Sequence, residues 1–326
     1  MRSFSEKQFA IFKQIARLSQ TGLRKFLISY LRKSYPKKNV VYSDHYIYAK
    51  GEIPIALVAH MDTVHKHLPE QIYWDKKEDI IWSPQGLGAD DRAGVFAILQ
   101  IIAFGYKPHI IFTADEEIGG IGASLIAGRG NPFNDLRYVI EFDRRGLDDC
   151  VFYDCDNPDF IEYISCFGFK EEFGTYSDIC EFCPDWGVAG VNLSVGYFNE
   201  HTFSEYLVSS ILLDTISKVC EMLDEDIDNI PFFKYIPRVY DIKGQKIISA
   251  TFFNRFSIIC SGCREAYLQE EVIPVKGCNG GTVFYCPDCI VDNVEWCAEC
   301  EEPFEKTSRG DTNTLCKDCR ARRKNK

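Results

Sequence analysis

Five short segments carry the residues able to do chemistry: His60-Met61-Asp62, Gly88-Ala89-Asp90-Asp91-Arg92, Asp115-Glu116-Glu117-Ile118-Gly119, Glu141-Phe142-Asp143 and Glu200-His201-Thr202. Together they offer two imidazoles and several carboxylates, with no thiol among them. That donor set suits zinc, or manganese or cobalt, in an open catalytic site rather than a closed structural one. Two such ions about 3.5–4 Å apart need a carboxylate that bridges them, and Asp90 is the natural bridge. Each ion would then take one imidazole and one further carboxylate and share a water. The adjacent Glu116 and Glu117 meet two needs, a ligand and a free general base. Asp62, two residues from His60, fits the carboxylate that orients a metal-binding imidazole. Glu141 and Asp143 stand two apart on a strand and face the same side, so periodicity leaves either as a ligand.

A second kind of metal chemistry lies near the C-terminus. Eight of the 15 cysteines form four C-x-x-C pairs, Cys260/Cys263, Cys286/Cys289, Cys297/Cys300 and Cys316/Cys319. Pairs of C-x-x-C with short spacers are a strong zinc signal, and four thiolates close a site, so these ions would be structural. Two sequential four-cysteine sites are the simplest pairing, and a crossed one is also allowed. Cys278 is a free thiol or a replacement ligand, and Cys180-x-x-Cys183 reads as buried thiols. Arg255–Lys326 carries 11 basic and 12 acidic side chains. Eight thiolates around two ions add more negative charge, which argues against nucleic acid and for a protein-interaction or substrate-presenting role. The basic end, RARRKNK, reads as a solvated terminus.

The elements that must position the first set follow an α/β rhythm. Residues 5–34 show helical spacing and 39–49 resemble a hairpin. Short apolar runs at 54–59, 109–114, 137–142 and 188–195 read as buried strands, and 92–104 as a buried helix. A small helix is expected over 122–128 and a long amphipathic helix over 201–224, with His201 at its start. Strands alternating with helices argue a mostly parallel sheet covered on both faces. Sites in such sheets collect beyond the carboxyl ends of the strands, where His60, Glu116/Glu117 and Asp143 would emerge.

The chain has 326 residues, 46% hydrophobic and 26% charged, which excludes a disordered or fibrous protein. No apolar run is long enough to span a membrane, and the charged N-terminus lacks a signal-peptide core, so a cytoplasmic protein without membrane contact is expected. A net charge of −11 argues against nucleic-acid binding along the whole chain. The acidic, proline-bearing stretch at 225–240 marks a boundary between a catalytic domain, 1–240, and a cysteine-rich domain, 241–326. Residues 241–256 are expected to form a connecting strand pair. The cysteine-rich part has too little apolar material for a core of its own and would fold around metal.

The segments resemble those of the co-catalytic dizinc exopeptidases: the peptidase T, carboxypeptidase G-like and lidless aminopeptidase enzymes. ALVAHMDTV is similar to their first metal-histidine motif, GLGADDRAG to the bridging-aspartate motif, FTADEEIGGIGA to the glutamate-pair motif and NEHTFSEYL to the last histidine motif. The likeness covers about residues 50–215. It implies His60, Asp90, Glu117, Asp143 and His201 as metal ligands, Glu116 as general base, Asp62 behind His60, and a cis bond between Asp90 and Asp91. It also favours Asp143 over Glu141 and places Ser177 and Asp178 near the substrate's end, where a helix cap is the alternative. Arg92-Ala93 stands where many relatives have Lys-Gly. Only 57 residues separate Asp143 from His201, too few for the lid domain of many relatives.

The resemblance implies a dizinc metallopeptidase of the aminopeptidase or dipeptidase type. It would cleave small peptides or N-acyl amino acids with two catalytic zinc ions (cobalt or manganese as substitutes) and two structural ones. Two other readings remain: an adaptor that binds protein or nucleic acid through the cysteine modules, and a deacylase or amidase acting on a non-peptide amide.

Overall fold

The computed structural model describes residues 3–238, 257–263, 266–268, 272–277, 282–306 and 314–324, and the chain divides into two compact units, Met1–Lys246 and Ile247–Lys326. The strand pair expected over 241–256 and Cys278 lie outside the described residues. Among these residues no helix is long and apolar enough to cross a membrane.

The first unit runs through helices α1 (Glu6–Ala16) and α2 (Gln20–Ser34) and strands β1 (Val40–Tyr42), β2 (Tyr46–Ala49), β3 (Ile53–His60), β4 (Tyr73–Asp75) and β5 (Ile80–Trp82). Helix α3 (Ala89–Ala103), β6 (Pro108–Thr113), α4 (Ile121–Ala127), β7 (Tyr138–Arg144), β8 (Asp149–Val151) and α5 (Pro158–Cys166) follow. The unit then passes through β9 (Lys170–Glu171), α6 (Ile179–Trp186), β10 (Gly190–Ser194), β11 (Tyr197–Phe198), β12 (Tyr206–Val208) and α7 (Ser209–Leu223). Its main sheet has eight strands in the order β1-β2-β6-β3-β7-β10-β8-β9. The central four, β6-β3-β7-β10, are parallel, and antiparallel pairs join β1, β2 and β8 to them. A smaller sheet runs β11-β12-β5-β4.

The parallel strands read as unbroken apolar runs because both faces are covered. Successive side chains of β3 go to opposite layers. Ile55, Leu57 and Ala59 join the core under α1, α2, α3 and α7, while Ala56 and Val58 join a second core under α4 and α6. Ile55, Leu57 and Val58 each contribute roughly 1.5–3 kcal/mol by leaving water. Helix α3 packs hard against β7: a Cβ on Gly94 would lie 2.5 Å from the carbonyl oxygen of Phe142, so only glycine permits that approach. Strand β3 has β6 on one side and β7 on the other, and the chain visits them in turn through α3 and α4. The order therefore reverses at β3, the position where open α/β sheets form a crevice at their carboxyl ends.

The helix expected over 201–224 begins only at Ser209. Residues 201–205 form a turn, His201 has a positive φ of 63°, and Tyr206–Val208 is a strand paired with both β11 and β5. Pairing with β5 outweighs the helical spacing that Leu207 shares with the helix behind it.

The second unit holds β13 (Ser257–Ile259), β14 (Ala266–Leu268), β15 (Ile273–Lys276), β16 (Thr282–Tyr285), α8 (Pro287–Asn293), β17 (Val294–Trp296), β18 (Pro303–Glu305) and α9 (Lys317–Lys324). The basic end read as a solvated terminus is thus helical as far as Lys324. Strands β16-β15-β18-β17 make one sheet, in which β15 pairs in parallel with β18. The two cysteine modules therefore share a sheet.

Candidate active site

His60 ends β3, Asp90 opens α3, Glu116 and Glu117 follow β6, Asp143 lies near the end of β7, and His201 sits in the turn before β12. The crevice brings all of them together. The two oxygens of Asp90 face different imidazoles: Oδ1 lies 3.1 Å from His60 Nε2 and Oδ2 3.0 Å from His201 Nε2. Asp143 Oδ1 is 3.6 Å from His60 Nε2, and Glu117 Oε2 is 3.1 Å from His201 Nε2. Two triads result, His60/Asp90/Asp143 and Asp90/Glu117/His201, each with its donor atoms within 4.8 Å of one another. Asp90 belongs to both.

These distances fit a metal. Ligands at about 2.0–2.1 Å from a tetrahedral zinc are roughly 3.3 Å apart along each edge. The second carboxyl oxygen of Glu117 is buried and makes no hydrogen bond among the described residues, which suits a donor facing a cation. Glu141, the rival to Asp143, is fully buried and belongs to neither triad. The pairing of β7 with β10 shifts register between Asn192 and Ser194, so the two-residue period does not carry through to Asp143.

Asp62 does two things. Its Oδ1 lies 3.3 Å from His60 Nδ1, and its two oxygens accept the backbone N–H groups of Glu116 (3.2 Å) and Glu117 (3.1 Å). Burial works against its ionisation, but the His60 imidazole and these N–H groups outweigh burial and hold its pKa at about 2. The same contest holds Asp90 well below the usual carboxylate range, with His201 and His60 opposing burial. Burial, with Asp143 and Asp178 nearby, raises Glu116 to about 8. Burial and Asp90 raise Glu117 to about 7. His201 is raised to about 9, first by its hydrogen bond to Asp90.

Two residues beside Asp143, Tyr197 and Asn192, carried no sequence signal. Tyr197 donates to Asp143 Oδ1 (3.1 Å), and Asn192 accepts the Asp143 backbone N–H (2.8 Å) while its amide donates to the Asp143 carbonyl (2.9 Å). Arg92 is buried and its pKa is lowered to about 10 by burial, opposed by Asp62 and Asp91. Ser177 donates to Asp143 Oδ2 (3.0 Å). Asp178 precedes α6, but its side chain makes no cap bond; it accepts from Thr113 Oγ1 instead. Both Ser177 and Asp178 are buried. The Asp90–Asp91 peptide bond is cis.

In the second unit the cysteines group sequentially, Cys260/Cys263/Cys286/Cys289 and Cys297/Cys300/Cys316/Cys319. The groups repeat one local design: the backbone N–H of the third cysteine donates to the sulfur of the first, Cys286 to Cys260 (3.3 Å) and Cys316 to Cys297 (3.4 Å). Such bonds favour a thiolate. They outweigh burial at Cys260 and Cys297 and lower each to about 6. Cys183 of the first unit is buried and its thiol is pushed well up by burial, whereas Cys180 is half-buried.

No protein-family model and no curated protein sequence matches the chain. Solved structures do match in three dimensions. The aminopeptidase PepT from Bacillus cereus has a TM-score of 0.56 at 14% identity, over 67% of this chain and 97% of that one. A tripeptidase from Staphylococcus aureus gives 0.54 at 13%, over 67% and 97%. An aminopeptidase from the archaeon Desulfurococcus kamchatkensis gives 0.54 at 14%, over 69% and 97%. At such identities the likeness shows the fold, a mixed α/β unit with a large, mostly parallel sheet between helices, which is the fold of these aminopeptidases.

Proposed function

We propose that the chain is a metal-dependent hydrolase of amide bonds, with two divalent cations held by His60, Asp90, Glu117, Asp143 and His201. Small peptides are the favoured substrates, because the similar structures are those of aminopeptidases and a tripeptidase. The observation that carries the reading is the position of Asp90, with each carboxyl oxygen against a different imidazole and a further carboxylate beside each ring. Two bound cations supply Lewis acidity and make a water acidic near neutral pH.

The chain's own residues do the rest. Asp62 fixes the His60 ring and, through two backbone N–H groups, the loop that carries Glu116. Tyr197, Ser177 and Asn192 fix Asp143. Glu116 takes the proton from the attacking water and returns it to the leaving amine nitrogen. A carboxyl raised by burial towards neutrality is suited to both steps. The four-cysteine groups hold structural zinc and fold the second unit, with a protein partner as its favoured ligand.

Glu116→Gln tests the reading. It keeps the shape and removes the base, so metal content should stay at the wild-type level while kcat for di- and tripeptides falls by about 10²–10⁴. Near-wild-type turnover would remove Glu116 from this role.

A further inference from the structure

Glu205 is buried, with 1% exposure, and stands four residues beyond His201. Its Oε2 accepts the backbone N–H of Gly88 (2.6 Å) and lies 3.3 Å from His65 Nε2, while Oε1 accepts the backbone N–H of Asp90 itself (3.0 Å). One carboxylate thus joins three segments that are far apart in sequence, and each carries a metal-site candidate: His60 ahead of His65, Asp90 within 86–90, and His201 ahead of Glu205.

The fold delivers Glu205 to this point by strand register. Tyr206 of β12 pairs with Trp82 of β5, which sets Glu205 beside the segment leading from Ser83 to Gly88. The turn it holds has little freedom of its own. Gly86 has a φ of +85° and lies so close to the His65 ring that a Cβ would meet it at 2.3 Å, and Gly88 has a φ of +64°. The turn offers its N–H groups inward, and the carboxylate satisfies both, one with each oxygen. A buried N–H left without an acceptor is costly, so the carboxylate fixes the turn rather than merely filling space.

We propose that Glu205 is a positioning residue. By clamping the Gly88 and Asp90 N–H groups against His65, it sets the bridging carboxylate of Asp90 between His60 and His201. This inference rests on the two-cation reading above. Glu205 itself belongs to neither metal-binding triad.

The test is Glu205→Gln in the full-length protein. A glutamine offers one oxygen, so one of the two N–H groups faces an amide NH2. Cobalt(II) affinity at the non-thiolate site, measured by chelator competition, should fall about tenfold to a hundredfold. The metals of the four-cysteine groups should be retained as an internal control, and kcat should fall with KM little changed. His65→Gln, which loosens Glu205 without touching its two backbone bonds, should move cobalt affinity in the same direction by less. Glu205→Asp keeps both acceptor oxygens and should recover part of the affinity, which covers the case of a glutamine variant that does not fold. Wild-type cobalt affinity and kcat in Glu205→Gln would overturn the proposal, as would a lowered Tm with unchanged affinity of the folded fraction. A wild-type protein that binds no metal beyond the thiolate groups would instead overturn the two-cation reading on which the proposal stands.

Discussion

Replacing Asp62 with Asn separates orientation from ligation, because Asp62 lies behind His60 and supports the Glu116–Glu117 loop at the same time. Asp62 has two acceptor oxygens, one for each backbone N–H. Asn offers one oxygen and an NH2 group. Either the Glu116 or the Glu117 N–H must therefore lose its acceptor, or the NH2 must turn away from both at the expense of His60. A hydrogen bond to a charged group contributes about 1.5–3 kcal/mol, and every 1.4 kcal/mol is tenfold in an equilibrium constant. The loss should appear as a roughly 10- to 150-fold fall in zinc affinity at the cluster, in line with the usual 10–100-fold effect of such outer carboxylates. The assay is competitive metal titration of the full-length protein, with tripeptide hydrolysis measured in parallel at saturating zinc. A variant within twofold of wild type in both affinity and kcat would refute the reasoning.

Two further outcomes are expected. His109 is buried, accepts the Gly51 backbone N–H at Nδ1 (3.0 Å) and stacks on Phe133, and burial lowers its pKa against the pull of Asp135. The unfolded chain therefore protonates first. The stability from neutral His109 is fully present above about pH 6.5 and is lost as pH falls below that value. Urea midpoints at pH 5 and pH 7 should differ more in wild type than in His109→Gln, and an identical difference would contradict this. Cys263→Ser should reduce total metal by about one ion per chain, read by elemental analysis, without loss of peptide hydrolysis, because Cys263 lies in the four-cysteine group of the second unit. Unchanged metal content would contradict the tetrathiolate assignment.

Much of the fold was legible because its central strands are buried on both faces. The runs at 54–59, 109–114 and 137–142 are apolar enough to show without any partner information. The short strands β4, β5, β11 and β12 were not, since two or three residues cannot display a period. The start of α7 was misread for a related reason: Leu207 falls in helical register with the residues behind it, and only pairing with β5 makes it a strand. At the site, His60, Glu116, Glu117 and Asp143 stood out at the ends of apolar strands, Asp90 at a glycine turn and His201 at the start of the expected long helix. Asn192, Tyr197 and Glu205 did not. Their work is done on groups 49 to 140 positions away, much of it on backbone N–H, which leaves no local pattern. Periodicity alone left Glu141 and Asp143 equivalent, and only the family likeness favoured Asp143, because the irregular pairing that distinguishes them belongs to the strand pair rather than to either strand.

The proposed chemistry requires a pair of cations sharing Asp90. Crystals of the full-length protein grown with zinc, measured on both sides of the zinc absorption edge, would reveal them. The expected anomalous map shows two peaks about 3.5–4 Å apart, one against His60 and Asp143 and the other against Glu117 and His201, with Asp90 between them. No peak at these residues, or a single peak that Asp90 does not touch, would contradict it.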